Sequence, residues 1–127
     1  MTVLDNKEKL DEFVRFIKKE LGIKHTPTIA LLNTRKTIKT TANYDYTKEN
    51  KIIKIFAKDR MMVDVMRSIA HELTHHKQWE DGKLKVKPPD IGGPIEDEAN
   101  AKAGQYIKMF AEKEPSIYDE DGDEDIN

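Results

Sequence analysis

The sequence predicts an α+β fold: an N-terminal helix, a small three-stranded sheet, a long helix carrying a His-Glu-x-x-His motif, and a C-terminal helix carrying glutamates. Three observations lead there. Apolar residues recur with the helical period in three blocks, one near the start, one from about residue 60 to 81 and one from 94 to 113. Short runs rich in β-branched and aromatic residues fall between the first two blocks. A length of 127 residues suits one core of ordinary size and is too small for a two-lobed enzyme.

Residues 5 to 21 set Leu10, Phe13, Val14, Ile17 and Leu21 on one stripe, and Gly22 follows as a stop. The apolar run Thr28-Ile29-Ala30-Leu31-Leu32, after Pro27, reads as a buried strand. Residues 37 to 46, rich in Thr and Tyr with weak alternation, suit a strand near a sheet edge, residues 47 to 50 a turn, and residues 51 to 57 a third strand. From Arg60 to Asp81, Met62, Met66, Ile69 and Leu73 make a helical core stripe that Gly82 ends. Three prolines and two glycines mark residues 83 to 94 as a loop. Pro94 then suits the first position of a helix running to about Lys113, with Ala99, Ala103, Ile107 and Phe110 on its buried face. These elements make residues 1 to 113 a single domain and residues 114 to 127 an acidic, flexible tail.

The chemistry is concentrated in His71-Glu72-Leu73-Thr74-His75. On a helix, positions i and i+4 lie about 40° apart in projection and roughly 6 Å apart along the axis, so both imidazoles can reach one tetrahedral ion. Glu72 follows the first ligand directly, where its carboxylate can take a proton from a water activated by the metal. The bland alternative, histidines on a wet helix surface that happen to bracket a glutamate, fits poorly with a motif placed in a helical pattern, the context it requires.

A third protein ligand must come from elsewhere. No histidine follows His76, and Gln78 and Asp81 stand where a metzincin continuation needs glycine and histidine. His76 points about 100° away from its neighbour, and His25 lies far upstream. A carboxylate is left, and Glu96 and Glu98 open the last helix. Glu96 shares its side with Ala99, Asn100 and Ala103, the face expected to pack on the body, so Glu96 is preferred over Glu98. Asn100, one turn on, is placed to orient His71.

Through His71-Glu72-Leu73-Thr74-His75 followed by Glu96-x-x-x-Asn100, the chain resembles the gluzincin metallopeptidases, especially very small (minigluzincin-like) members and short proteins of phage type. It also resembles SprT-like domains in Ala42-x-Tyr44 and Ile53-x-Ile55, although the later histidine ligand of that group has no counterpart here. The resemblance covers roughly residues 37 to 110. It implies Zn2+ held by His71, His75 and Glu96, with Glu72 as general base for peptide hydrolysis. Asn100 departs from the aspartate of the gluzincin pattern, which keeps the hydrogen bonding and loses the charge.

Composition narrows the setting. With 36% charged residues against 37% hydrophobic ones the chain is very polar. No cysteine is present, which excludes disulfides and thiolate ligands and fits a reducing compartment. No signal-like or membrane-length apolar run occurs, so the expected location is the cytoplasm. Asp119, Glu120, Asp121, Asp123, Glu124 and Asp125 crowd into the last residues and leave the body at +4 out of a formal net −2. That segment is expected to be a solvated end, with self-inhibition over a positive groove as the alternative. Its alternating acids are no EF-hand, because Glu124 occupies the glycine position. The expected partner is a peptide or an unfolded protein, with no nucleic acid and no membrane. The alternative function is a catalytically silent zinc-binding module, either regulatory, partner-binding or virion-associated.

Overall fold

In a computed structural model of the chain, which describes residues 7–34, 41–45, 51–84 and 93–118, helix α1 spans Lys7–Leu21 and buries Leu10, Phe13 and Ile17. Their spacing puts all three on one face. Gly22 ends the helix at φ +72, a conformation that costs glycine little. The Gly22 N–H donates to the Lys19 carbonyl at 3.3 Å and the Ile23 N–H to the Lys18 carbonyl at 3.0 Å, satisfying carbonyls that the last turn leaves open. Ile23 is buried behind them.

Three strands follow, β1 (Thr28–Leu32), β2 (Ala42–Asp45) and β3 (Ile52–Phe56), in the spatial order β1-β3-β2. The central strand β3 pairs parallel with β1, Thr28 opposite Ile52, and antiparallel with β2, Ala42 opposite Ile55. Ile53 and Ile55 share one face by the two-residue period of a strand, and both are fully buried. The expectation of a buried strand at 28–32 is corrected here: Thr28 is exposed and the other four residues are half-buried. The run lies on the outside of the sheet, and β3 takes the covered central place. β2 is an outer strand, as expected. Residues 37 to 40, Tyr46 and the turn expected at 47 to 50 lie outside the described residues, as do residues 85 to 92 and the acidic segment from Asp119.

Helix α2 (Met62–Glu80) lies at the centre of the molecule. Its expected stripe of Met62, Met66, Ile69 and Leu73 is fully buried, and its other side is buried as well, through Glu72, Thr74, His75, His76 and Gln78. Gly82 caps it at φ +78, with the Gly82 and Lys83 N–H groups on the Trp79 and Gln78 carbonyls at 3.0 and 2.8 Å. Helix α3 (Gly93–Lys113) packs along α2 through Ala99 and Ala103 and meets α1 through aromatic rings. Phe13 and Phe110 meet edge to face with centroids 5.2 Å apart, and Phe16 lies 5.7 Å from Phe110. A 3-10 turn, Pro115–Tyr118, then buries Ile117 completely. Lys9 of α1 holds it, through Ser116 Oγ at 2.8 Å and Glu114 Oε2 at 2.9 Å. Residues 114 to 118 therefore belong to the packed body and not to the tail. Among the described residues no helix is long and apolar enough to cross a membrane.

The glycines give a paired stability test. A Cβ would meet nothing within 4 Å at either Gly82 or Gly104, so backbone conformation alone decides the outcome. Gly82→Ala, at positive φ, is expected to destabilise by about 1 kcal/mol, and Gly104→Ala, inside α3, to stabilise by about 0.5–1 kcal/mol. Urea midpoints of the two variants check both signs.

Candidate metal centre

Helix α2 delivers two imidazoles one turn apart. The rings of His71 and His75 stand 4.7 Å apart at 88° to one another, and their Nε2 atoms approach to 3.2 Å. Helix α3 brings Glu96 against them from its first turn, with Oε1 2.8 Å from His75 Nε2 and Oε2 3.2 Å from His71 Nε2. The small Ala99 and Ala103, both buried, let the two helices approach this closely. Bonds of about 2.0–2.1 Å to a tetrahedral ion hold neighbouring donor atoms about 3.3 Å apart, close to the spacing of these three groups.

The hydrogen bonds around His75 fix which atoms carry lone pairs. The Gln78 amide nitrogen donates to the Ile95 carbonyl at 3.0 Å and to Glu98 Oε1 at 2.8 Å, both acceptors, so its oxygen faces His75 Nδ1 at 2.7 Å. That oxygen can only accept. His75 therefore carries a hydrogen on Nδ1, so that in the neutral ring the lone pair sits on Nε2, the atom that faces Glu96 and His71. A lone pair facing a carboxylate oxygen at 2.8 Å is repulsive without a positive charge between them. One proton can relieve one of these contacts; a divalent cation relieves them together. Burial and the neighbouring His75 lower the His71 pKa below its ordinary value, which favours the neutral, ligating ring. The Asn100 side chain hydrogen-bonds the same ring.

Glu72 is set differently from Glu96. It is buried, and among the described residues its Oε2 is the buried side-chain oxygen or nitrogen left without a hydrogen-bond partner. Burial pushes its carboxyl up to about 7, against the pull of His75 and with the charge of Glu96. The carboxylate borders a cleft of about 390 Å³, which His71, Asn100, Thr41 and the outer-strand residue Ala42 also line.

The sequence-derived residues divide cleanly. His71, His75 and Glu96 converge as one group whose ligand atoms lie within 4.8 Å of one another, and Glu72 stands beside them. Glu98, the alternative ligand, is bonded to Gln78 instead. The role of Gln78 as the clamp on His75 is missed by motif reading. The available signal is its position, three residues past a ligand and on the same helix face. His76 faces away. Its Nε2–H donates to the His25 carbonyl at 2.6 Å and its Nδ1 accepts from the Tyr44 hydroxyl at 2.6 Å, so this pair fastens β2 and the segment before β1 onto α2. Tyr44 and His76 are thereby structural. Tyr106 packs edge-on against Phe16 with centroids 6.2 Å apart.

The chain was compared with protein-family models, curated proteins and solved structures, and it matches none of them.

Glu80 completes the fastening, accepting from the Lys24 and His25 backbone N–H groups at 3.0 and 2.9 Å. Burial alone would raise its carboxyl, but those N–H groups, with His76 and Lys77, outweigh burial and hold it below its ordinary value. Its contribution to stability is present above the ordinary carboxylate pKa and is lost as pH falls through the lower folded-state value. Glu80→Gln is expected to cost about 1 kcal/mol at pH 7, and the gap from wild type should close in acid. Thermal melts of both proteins from pH 7 to pH 3 measure the gap.

Proposed function

We propose that the chain is a zinc-dependent peptidase in which His71, His75 and Glu96 hold the metal and Glu72 is the general base. One observation carries this reading: two imidazoles and a carboxylate on two helices converge with their ligand atoms within 4.8 Å of one another, beside a buried carboxylate oxygen without a partner. Two imidazoles and a carboxylate form a donor set that suits Zn2+ and leaves a coordination position open. Zinc bound there supplies Lewis acidity toward a carbonyl and toward water. The chain's own residues do the rest. Gln78 keeps His75 in the tautomer that can ligate, with Glu98 and the Ile95 carbonyl keeping Gln78 in place. Asn100 orients His71. Glu72 takes a proton from the attacking water and returns it to the leaving amine, the role for which an unpartnered carboxylate at the cleft edge is suited. The cleft is bordered by Ala42 of the outer strand β2, and a peptide or an unfolded protein is the proposed substrate.

A second reading, a zinc-binding module without hydrolytic activity, has one observation in its favour. The Tyr44 hydroxyl and His76, groups whose chemistry would suit donation to a developing oxyanion, are bonded to each other instead.

Metal titration and digestion of an unfolded protein separate the two readings. Glu96→Ala should lose most of the zinc and Gln78→Leu should weaken its affinity about 10- to 100-fold, whereas Glu72→Gln should keep the metal. Glu72→Gln should also cleave at least about 100-fold more slowly than wild type. Equal cleavage by wild type and Glu72→Gln removes the assigned base. Zinc binding with no cleavage by either protein favours the second reading.

A further inference from the structure

Hydrolysis leaves one wall of the cleft unused. Arg60, Asp64, Arg67 and Ser68 form that wall, from the entrance to α2 and its first two turns, next to His71 and Glu72. Arg60 is fixed in place. Its guanidinium donates to the carbonyls of Phe56 and Asp64 at 2.8 and 3.0 Å and to Ser68 Oγ at 2.9 Å. Arg67 is held more lightly. Its side chain is 54% exposed, and it meets Asp64 Oδ1 at 3.1 Å in a pair of exposed groups, a kind of contact that contributes little to stability. It lies one helical turn before His71, about 6 Å along the axis, so its guanidinium and the candidate ligand share one side of α2.

We propose that this wall is a carboxylate subsite and that Arg67 is its specificity-determining residue, an inference that rests on the peptidase reading of the neighbouring site. The Asp64 carboxylate, sitting on Arg67 in the free protein, marks the position that a substrate carboxylate takes. Guanidinium offers a planar pair of donors that matches a carboxylate and does not match the amide of the same size. Arg60 adds a fixed positive charge at the same wall, and exchange of the weak Asp64 contact for the substrate's carboxylate leaves no buried charge uncompensated. The carboxylate comes either from an Asp or Glu side chain near the scissile bond or from the C-terminus of a short peptide.

Three otherwise identical peptides distinguish these sources: one with an internal Glu and an amidated end, one with Gln and an amidated end, and one with Gln and a free C-terminus. Their binding to zinc-loaded Glu72→Gln protein is measured by calorimetry, and their cleavage by wild type in parallel. A carboxylate-bearing peptide should bind about tenfold more tightly than the Gln amide, and this preference should shrink with added salt. It should vanish in a protein that also carries Arg67→Gln, and with Arg67→Glu it should turn toward a peptide with internal Lys. Tighter binding of the internal-Glu peptide assigns the subsite to side chains, and tighter binding of the free terminus assigns it to chain ends. Equal binding of all three, no binding of any, or a preference that survives Arg67→Gln overturns the proposal. A carboxylate preference in binding without cleavage by wild type leaves the subsite standing and removes the peptidase reading, whereas cleavage of all three at one rate does the reverse.

Discussion

The close approach of α2 and α3 is the constraint on which the rest of the molecule depends. Gln78 meets Ile95, His75 meets Glu96 and His71 meets Asn100, pairs that step along the two helices in opposite directions. Each pair exists only if the helix axes are near enough for short side chains to touch. Ala99 and Ala103 make that possible, and α1 presses the far end of α3 home through Phe13 and Phe16 on Phe110. A larger residue at 99 or 103 would part the helices and uncouple the carboxylate from the imidazoles without touching any of them.

Helix α2 is buried on nearly all sides, which is costly for a segment with five buried polar residues. Four of the five are satisfied. Thr74 Oγ1 donates to the Ala70 carbonyl at 2.8 Å, His75 is bonded to Gln78, His76 to Tyr44 and the His25 carbonyl, and Gln78 to Ile95 and Glu98. The fifth, Glu72, keeps one oxygen unpartnered. Of the five it is the group left open, and it lies at the edge of the cleft.

Much of this was legible in the sequence, and the failures have physical causes. Helix stops at Gly22 and Gly82 could be read because a positive φ restricts the residue choice to very few types. The imidazole pair could be read because helical geometry alone fixes it. That Glu96 and not Glu98 faces the imidazoles followed from which side of α3 carries the alanines. The burial of Thr28–Leu32 was misjudged, because an apolar run does not reveal whether it lies in the middle or on the outside of a sheet. The body's end was placed too early because Ile117 is a lone apolar residue beside an acidic stretch, and only the packed structure shows what it docks into. Gln78 was undervalued since its importance lies in a contact with another helix, which no local pattern encodes.

The two sides of the candidate centre are unlike, and the difference bears on what an ion there could do. On the Gln78 side, the amide, the Ile95 carbonyl and Glu98 close the space around His75, whose side chain is 7% exposed. On the other side His71 is 23% exposed and looks into the cleft with Glu72 and Asn100. An ion that merely braced the fold would want a fourth protein donor on this open side, and among the described residues the group that could hold an ion is His71, His75 and Glu96. A position left open by an ion held there would face the cleft that His71 and Glu72 line. On the peptidase reading proposed above, this asymmetry is access for something that enters from solvent and leaves again.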